Sequence, residues 1–445
     1  MGVGGFRLAL VAGFVAVLLA VSAAGADFAW DPEAAFDPPE PADFFGRAVA
    51  LDDPTLVTGA PGDDTLAVDA GAVWVHTRSE EGTWSFVVKL NASGGSASDQ
   101  FGSAVAVEGD TLVAGAPFAD DGRGAVYVFN RSTGGLWTQS ARLVPSGSPG
   151  AINFGSAVDL AGNTIVIGAP AAGTGSAYVF NADAGNVWTE TTRLVTADAA
   201  AADLAGTSVA LSGDTILMGA SQQDPAGDAS GAVYAFVRGT GGAWSQQAKL
   251  IASDAAPGDL FGDEVDLIAD LAVIGARAND DAGTGSGSAY VFTRNLADIW
   301  SEQTKLVASD ASAAALFGAA VSVDGTQLVV GAPGAGSAYV FESPSWEETN
   351  ELNGTLLYGG AVAVDGETLA IATQGVPSGV VDVYRRSEAL LPPPVPVAVF
   401  DSITGEWSVA DEAGTVSTFF YGVPGDIPLA GDWDCDGDDT VGMFR

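Results

Sequence analysis

Short runs of alternating apolar and polar residues, each closed by glycine, set the rhythm of this chain. The clearest copy is Phe101 to Pro117, FGSAVAVEGDTLVAGAP. A Phe-Gly pair opens it, an alternating run follows, Gly109-Asp110 turns the chain, and a second apolar run stops at Gly-Ala-Pro. Period-two alternation bounded by turn residues predicts β-strands rather than helices. The same segment recurs as FFGRAVALDDPTLVTGAP from Phe44, FGSAVDLAGNTIVIGAP from Phe154 and FGAAVSVDGTQLVVGAP from Phe317. Looser copies begin at Leu204, Phe261 and Tyr358. Such a repeat decides the architecture, because each copy buries its apolar face only against its neighbours.

The glycines of the Phe-Gly pairs, or their equivalents, are Gly46, Gly102, Gly155, Gly206, Gly262, Gly318 and Gly359, at spacings of 56, 53, 51, 56, 56 and 41 residues. Seven units of that size each suit four short strands, as in a propeller blade. In the second unit the expected strands are 104–107, 111–114, 125–129 and 137–143, with a Gly/Asp-rich loop over 118–124. The third strand recurs as AYVF at 177–180, 289–292 and 338–341, as VYAF at 233–236 and as VWVH at 73–76. The fourth is a tryptophan followed six residues later by leucine: Trp84/Leu90, Trp137/Leu143, Trp188/Leu194, Trp244/Leu250, Trp300/Leu306 and Trp346/Leu352. Alternation turns one face of each strand toward the neighbouring blade. The Gly of the Phe-Gly pair allows close approach of backbones, the Phe fills the gap, and the Trp buries a large area.

Unit seven has three strands, at Val362, Leu369 to Ala372 and Val380 to Tyr384, and no Trp/Leu strand after them. The missing strand is expected at the other end of the chain. There Trp30 is followed six residues later by Phe36, then by Asp43-Phe44-Phe45-Gly46. Residues 27–38 are therefore predicted to complete blade seven and close the ring, removing a free sheet edge. Prolines 32, 38 and 39 stand against this, since proline cannot donate to a ladder. Residues 388–396, EALLPPPVP, read as an extended linker. A different unit occupies 397–445, where VAVFD at 397–401 is echoed by VGMFR at 441–445. A lone unit of that size buries little core, so it is expected to be the start of a truncated repeat region or a tail that pairs with another chain.

Charge narrows the partners. The 445 residues carry a net charge of −40 with three lysines, a balance that repels DNA, RNA and anionic membranes. Cations, basic proteins and neutral polymers fit, and adaptation to salty surroundings explains the acidity equally well. Residues 1–26 read as a secretory signal: Arg7, an apolar run from Leu8 to Val21, and small residues at Ala24-Gly25-Ala26. An uncleaved anchor is the alternative; no other segment is long and apolar enough to span a membrane. Cys435 is the single cysteine, which excludes an internal disulfide. Sequons at Asn91, Asn130 and Asn353 matter only in a eukaryotic host.

Taken together, the Phe-Gly…Gly-Ala-Pro segments over about residues 27–387 resemble the FG-GAP repeat of integrin alpha-chain heads and of many secreted microbial proteins. The Asp-rich loops and AYVF strands resemble the bacterial secreted type most. The resemblance implies a seven-bladed β-propeller used extracellularly in adhesion or recognition. Integrin-type blades often carry a calcium loop between strands one and two. Here that turn is too short, as at Glu108-Gly109-Asp110, Ser212-Gly213-Asp214 and Asp324-Gly325, so those sites do not carry over.

The best candidate for chemistry is Asp432-Trp433-Asp434-Cys435-Asp436-Gly437-Asp438-Asp439. Carboxylates at alternate positions of a curving loop converge on one hard cation, and the glycine permits the turn. Asp432, Asp434 and Asp436 are the side-chain ligands, Asp438 a backbone ligand and Asp439 a further candidate, with Ca²⁺ favoured over Mg²⁺. Similar loops belong to calcium-binding repeats of the VCBS/FG-GAP-like kind; an acidic turn without metal is the competing reading. Cys435 sits at a non-ligand position. A second candidate is the set of loops between strands two and three, with Asp63, Asp64, Asp69, Asp120, Asp121, Asp224, Asp228, Asp280 and Asp281, expected on one rim. They are either an acidic ring for calcium or a basic partner, or plain solvated loops.

The only histidine, His76, takes the strand-three slot held elsewhere by Phe129, Phe180, Phe236, Phe292 and Phe341, so it is expected to pack rather than catalyse. With no second histidine, Ser-His-Asp, Cys-His and His-metal chemistry lack support. The strand-four tryptophans are expected to be structural.

The expected protein is all-β: a four-stranded, seven-bladed propeller closed by the N-terminal strand, followed by a partial calcium-binding repeat. The expected function is that of a secreted or cell-surface, non-enzymatic recognition protein, a monomeric propeller binding an extracellular protein or glycan. A carbohydrate-binding propeller and the scaffold of a hydrolase are the rivals.

Overall fold

A computed structural model describes residues 28–37, 43–147, 150–374 and 379–388, and five backbone strands between 397 and 444. Contacts divide the chain into two units, and Trp30–Ser387 is one of them. It consists of seven four-stranded sheets set in a ring, a β-propeller. Blade two has the strands Val105–Glu108, Thr111–Ala116, Ala125–Arg131 and Trp137–Leu143, paired antiparallel in sequence order. These match the expected strands to within one or two residues. In the other unit, Val397–Asp401, Glu406–Ala410 and Val416–Phe420 form one antiparallel sheet, and Ile427–Gly431 pairs with Thr440–Phe444. The expected signal segment 1–26 and linker residues 389–396 lie outside the described residues.

Blade seven is completed as expected. Its strands Tyr358–Asp365, Thr368–Thr373 and Val380–Glu388 are joined at the outer edge by Phe28–Phe36 from the other end of the chain. Pro32 is tolerated because this is the outermost strand, where a missing N–H leaves no ladder partner unsatisfied, and the residue is exposed. Ser387 Oγ donates to Asp31 at 2.6 Å across the pair.

A bulge shapes every complete outer hairpin. In blade two the register of the third and fourth strands shifts between Val128 and Phe129, leaving Ser140 without a partner opposite. The same shift occurs at Val75/His76, Val179/Phe180, Ala235/Phe236, Val291/Phe292 and Val340/Phe341. Without the bulge, residues six apart on a strand would share a face. With it, Trp137 packs with Phe101, Tyr127 and Phe129 on one side of the blade, while Leu143 packs with Phe154, Tyr178 and Phe180 of blade three on the other. The leucine of each blade thus meets the strand-three aromatics and the tryptophan of the next, together with the Phe-Gly aromatic except at blade four, where Ala205 takes its place. Seven such clusters make the seven blade interfaces. Trp30 and Phe36 fill the tryptophan and leucine places of the closing strand, in the clusters with Tyr358 and with Phe45 respectively.

The backbones of adjacent blades come into contact through glycine. Gly102 N donates to Gly115 O of its own blade at 2.9 Å, while a Cβ added to Gly59 of the preceding blade would lie 1.9 Å from Gly102 O. Phe101 N donates to Ala70 O at 3.0 Å across the same junction.

A second set of links runs around the inner strands. In each case a polar side chain on the first strand of one blade, or at its end, accepts a backbone N–H at the first hairpin of the next. Asp52 accepts from Gly109, Glu108 from Gly162, Ser212 from Ala269, Asp324 from Gly366 and Asp365 from Asp53. At the two junctions where that position is apolar, Ala161 and Ile268, an aspartate two residues earlier substitutes. Asp159 accepts from Leu211 N at 2.6 Å and Asp266 from Val323 N at 2.7 Å. All seven junctions are therefore latched, four of them at the turn whose carboxylates suggested no role from sequence.

Candidate functional site

Because every blade has the same strand order, the loops between second and third strands emerge on one rim. They differ in length. Blades one, four and five carry long loops, from Ala60 to Ala72, Ala220 to Ala232 and Ala276 to Ser288, whereas that of blade two, Ala116 to Ala125, is three residues shorter.

Most carboxylates predicted for an acidic ring have partners within the fold. Asp64, Asp224 and Asp280 share one slot, and their Oδ1 atoms accept the N–H five residues on, from Asp69, Ala229 and Gly285, at 2.7–2.8 Å. Asp63 is buried, not on the rim surface; it ion-pairs with Lys89 and accepts from Thr65 N. Burial opposes its ionisation, but the Lys89 and Thr65 hydrogen bonds prevail and hold its pKa below the ordinary value. Asp120 pairs with Arg142 at 2.6 Å, and Asp281 with Lys305. Among the described residues, the side chains of Asp69, Asp121 and Asp228 are those of the predicted set with no partner.

The cations of strand four organise the rim. Lys89, Arg142, Arg193, Lys249 and Lys305 lie over Trp74, Tyr127, Tyr178, Tyr234 and Tyr290, 5.1–5.7 Å from the ring centroids. Tyr234 Oη and Lys249 Nζ both donate to Asp198, and Tyr290 Oη and Lys305 Nζ to Asp254, tying each blade to the strand connection that precedes it. Burial and the facing carboxylate hold both tyrosine hydroxyls far above their ordinary pKa, so they remain donors. At the opposite end of the blades, the short first turn carries an aspartate engaged by arginine: Asp110 by Arg131, Asp214 by Arg238 and Asp270 by Arg294. An arginine therefore stands where the integrin-type resemblance would look for calcium.

The central channel holds acids that sequence reasoning did not single out. Asp159, Glu264 and Asp266 lie on the first strands of blades three and five or at their start. Burial, then the charge of Asp266, pushes Asp159 up to about 7, and burial, then Asp263, pushes Glu264 up to about 8. Charged residues on an inner-strand segment, as in Asp263-Glu264-Val265-Asp266, were the available signal.

His76 is buried, and burial lowers its pKa to about 4, so it is neutral. It packs against Phe36, as its slot predicted. Trp30, Trp84, Trp137 and Trp300 are buried as structural residues. Among the described residues, no group of three or more His, Cys, Asp or Glu is arranged to hold a metal. Asp432, Asp434, Asp436, Asp438 and Asp439 lie outside the described residues.

The rim also contains a pocket of about 730 Å³ at blade two. It opens above the shortened loop, where Asp120 and Asp121 adopt left-handed backbone conformations (φ 53° and 60°). The connections into and out of the blade form its walls. Gln100 N donates to Asp69 O, and the amides of Ile152 and Asn153 both donate to Gly122 O at 2.9 Å, so the walls are fixed to neighbouring loops.

Seven four-stranded blades with a variable loop rim define the class: a repeat-built β-propeller whose inner hairpins are packing devices. The FG-GAP repeat family model matches at residues 39–76, 84–129, 137–180, 188–236, 244–292 and 300–341, and the chain belongs to that family. From the second match onward, each begins at a strand-four tryptophan and ends on the next blade's third strand, so the sequence repeat straddles blade junctions. No curated protein matches the chain. Among the described residues, no helix is long and apolar enough to cross a membrane.

Proposed function

We propose that this chain is a secreted or cell-surface recognition protein that binds an extracellular partner through the loops of the propeller rim and catalyses no reaction. The observation that carries this reading is the contrast between recurring inner hairpins of one pattern and loops of unequal length and sequence on one rim. Rigid strands presenting variable loops are a general design for recognition surfaces. The neutral, buried His76 and the internal pairing of most rim carboxylates support the non-catalytic reading. The C-terminal loop 432–439 adds calcium binding, on the donor chemistry of aspartates at alternate positions.

Exchange of the loops at 222–231 and 278–287 for the short loop of blade six tests the rim. The exchanged protein should remain folded, at a lower melting temperature because Ser230 and Ser286 no longer accept from Phe261 and Phe317, but lose capture of its cross-linked extracellular partner. Undiminished capture would refute a rim-centred role.

A further inference from the structure

We infer that the pocket at blade two binds a neutral oligosaccharide, with the ring of Phe118 as stacking platform. This goes beyond the protein-recognition reading and does not rest on it. The pocket lies between the loop after Ala116 and the connections into and out of the blade, and its walls are held by backbone hydrogen bonds before any ligand arrives. Its volume of about 730 Å³ lies within the ~300–1,000 Å³ span of small-molecule sites.

The lining chemistry selects the ligand. Phe118 is 44% exposed, a large apolar ring presented to solvent at the pocket. A pyranose has an apolar face of C–H groups that can cover such a ring, and hydroxyls at its edge that need planar partners. Around Phe118 stand the Gln100 and Asn153 amides and the Asp121 carboxylate, whose side chains have no partner among the described residues. Amides offer a donor and an acceptor side by side, and a carboxylate offers two acceptors, which suits neighbouring hydroxyls. The remaining charges are already satisfied. Arg142 bridges Tyr127 Oη at 3.2 Å and Asp120 at 2.6 Å, and buried Asp99 accepts from Ser96 N at 2.8 Å. The pocket is thus polar with a single open carboxylate, which favours a neutral guest over a strongly basic peptide. The net charge of −40 disfavours an anionic sugar.

The test is calorimetric titration of the full chain with maltotriose, cellotriose, mannotriose and N-acetylchitotriose, with the peptide Gly-Arg-Gly alongside. At least one trisaccharide should bind at about 1 mM or tighter, with Phe118→Ala and Asn153→Ala each weakening it by about tenfold. Phe86→Ala, which alters an exposed ring on the first blade, should leave binding unchanged. If Phe118→Ala alters melting, Asn153→Ala carries the reading. The inference is overturned if no trisaccharide binds, if binding ignores both pocket variants, or if the peptide alone binds with Phe118 dependence. Loss of partner capture on exchange of the blade-four and blade-five loops would leave this result untouched, so the two proposals fail separately.

Discussion

The imidazole of His76 stacks on the phenyl ring of Phe36, with centroids 3.9 Å apart and planes inclined by 25°. Phe36 comes from the strand that closes blade seven, and His76 from the third strand of blade one, so this stack lies at the junction where the two ends of the propeller meet. Trp84 Nε1 donates to Glu33 Oε2 at 2.8 Å beside it. A histidine replaces the phenylalanine of blades two to six here, and it has to stay neutral to do so.

The first prediction follows from that neutrality. His76 has its folded pKa lowered from 6.5 to about 4 by burial. A base with a depressed folded pKa contributes stability that is complete above 6.5 and is lost as pH falls toward 4, by up to about 3 kcal/mol. His76→Phe should remove that loss and the unpartnered Nδ1, so melting temperature at pH 5 should rise relative to the parent. Thermal melts at pH 5 and 8 check this; an unchanged difference between the two pH values would count against the closing role of the stack.

Asp159 predicts a slope of the opposite sign. Its folded pKa is raised, to about 7, so its contribution is complete below the ordinary carboxylate value and is lost as pH rises through 7. Asp159→Asn should flatten that alkaline decline between pH 4 and 8. Asp159→Ala also leaves the N–H groups of Leu160 and Leu211 without their acceptor and should cost about 1–3 kcal/mol at any pH, measured by denaturant unfolding.

Gly59 and Gly109 separate two reasons for glycine. Gly59 has no left-handed backbone, but an added Cβ would overlap Gly102 O, so Gly59→Ala should cost at least about 3 kcal/mol or prevent folding. Gly109 has φ +55° with open space around it, so Gly109→Ala should cost only about 1 kcal/mol. Equal losses in a chemical denaturation series would contradict the blade-contact account.

Calcium should bind the full chain through 432–439, and Asp432→Asn with Asp436→Asn should abolish the calorimetric signal. Chelation should leave the propeller's melting transition where it was, since the short first turns are engaged by Arg131, Arg238 and Arg294. A propeller transition that moved with calcium would place a site inside the ring instead.

Sequence periodicity alone determined the number of blades, the four strands of each, the closing strand and the packing role of His76. These are local or repeated signals: period two, glycine turns and a tryptophan spaced six residues from its partner. The predicted acidic rim was legible as a location but not as a chemistry, because Asp63 and Asp120 look alike in sequence while Lys89 and Arg142 reach them only across the sheet. Tertiary structure alone decided three further things. The bulge beside Phe129 sends Trp137 and Leu143 to opposite faces, through a pairing shift that no single strand encodes. Asp159 and Asp266 restore the latch where Ala161 and Ile268 cannot, a substitution visible only when neighbouring blades are in place. The blade-two pocket is lined by the loop after Ala116 together with connections from other parts of the chain, which only the ring brings together. Strand formation follows from alternation along the chain, whereas the partners of a charge follow from which strands the ring brings side by side.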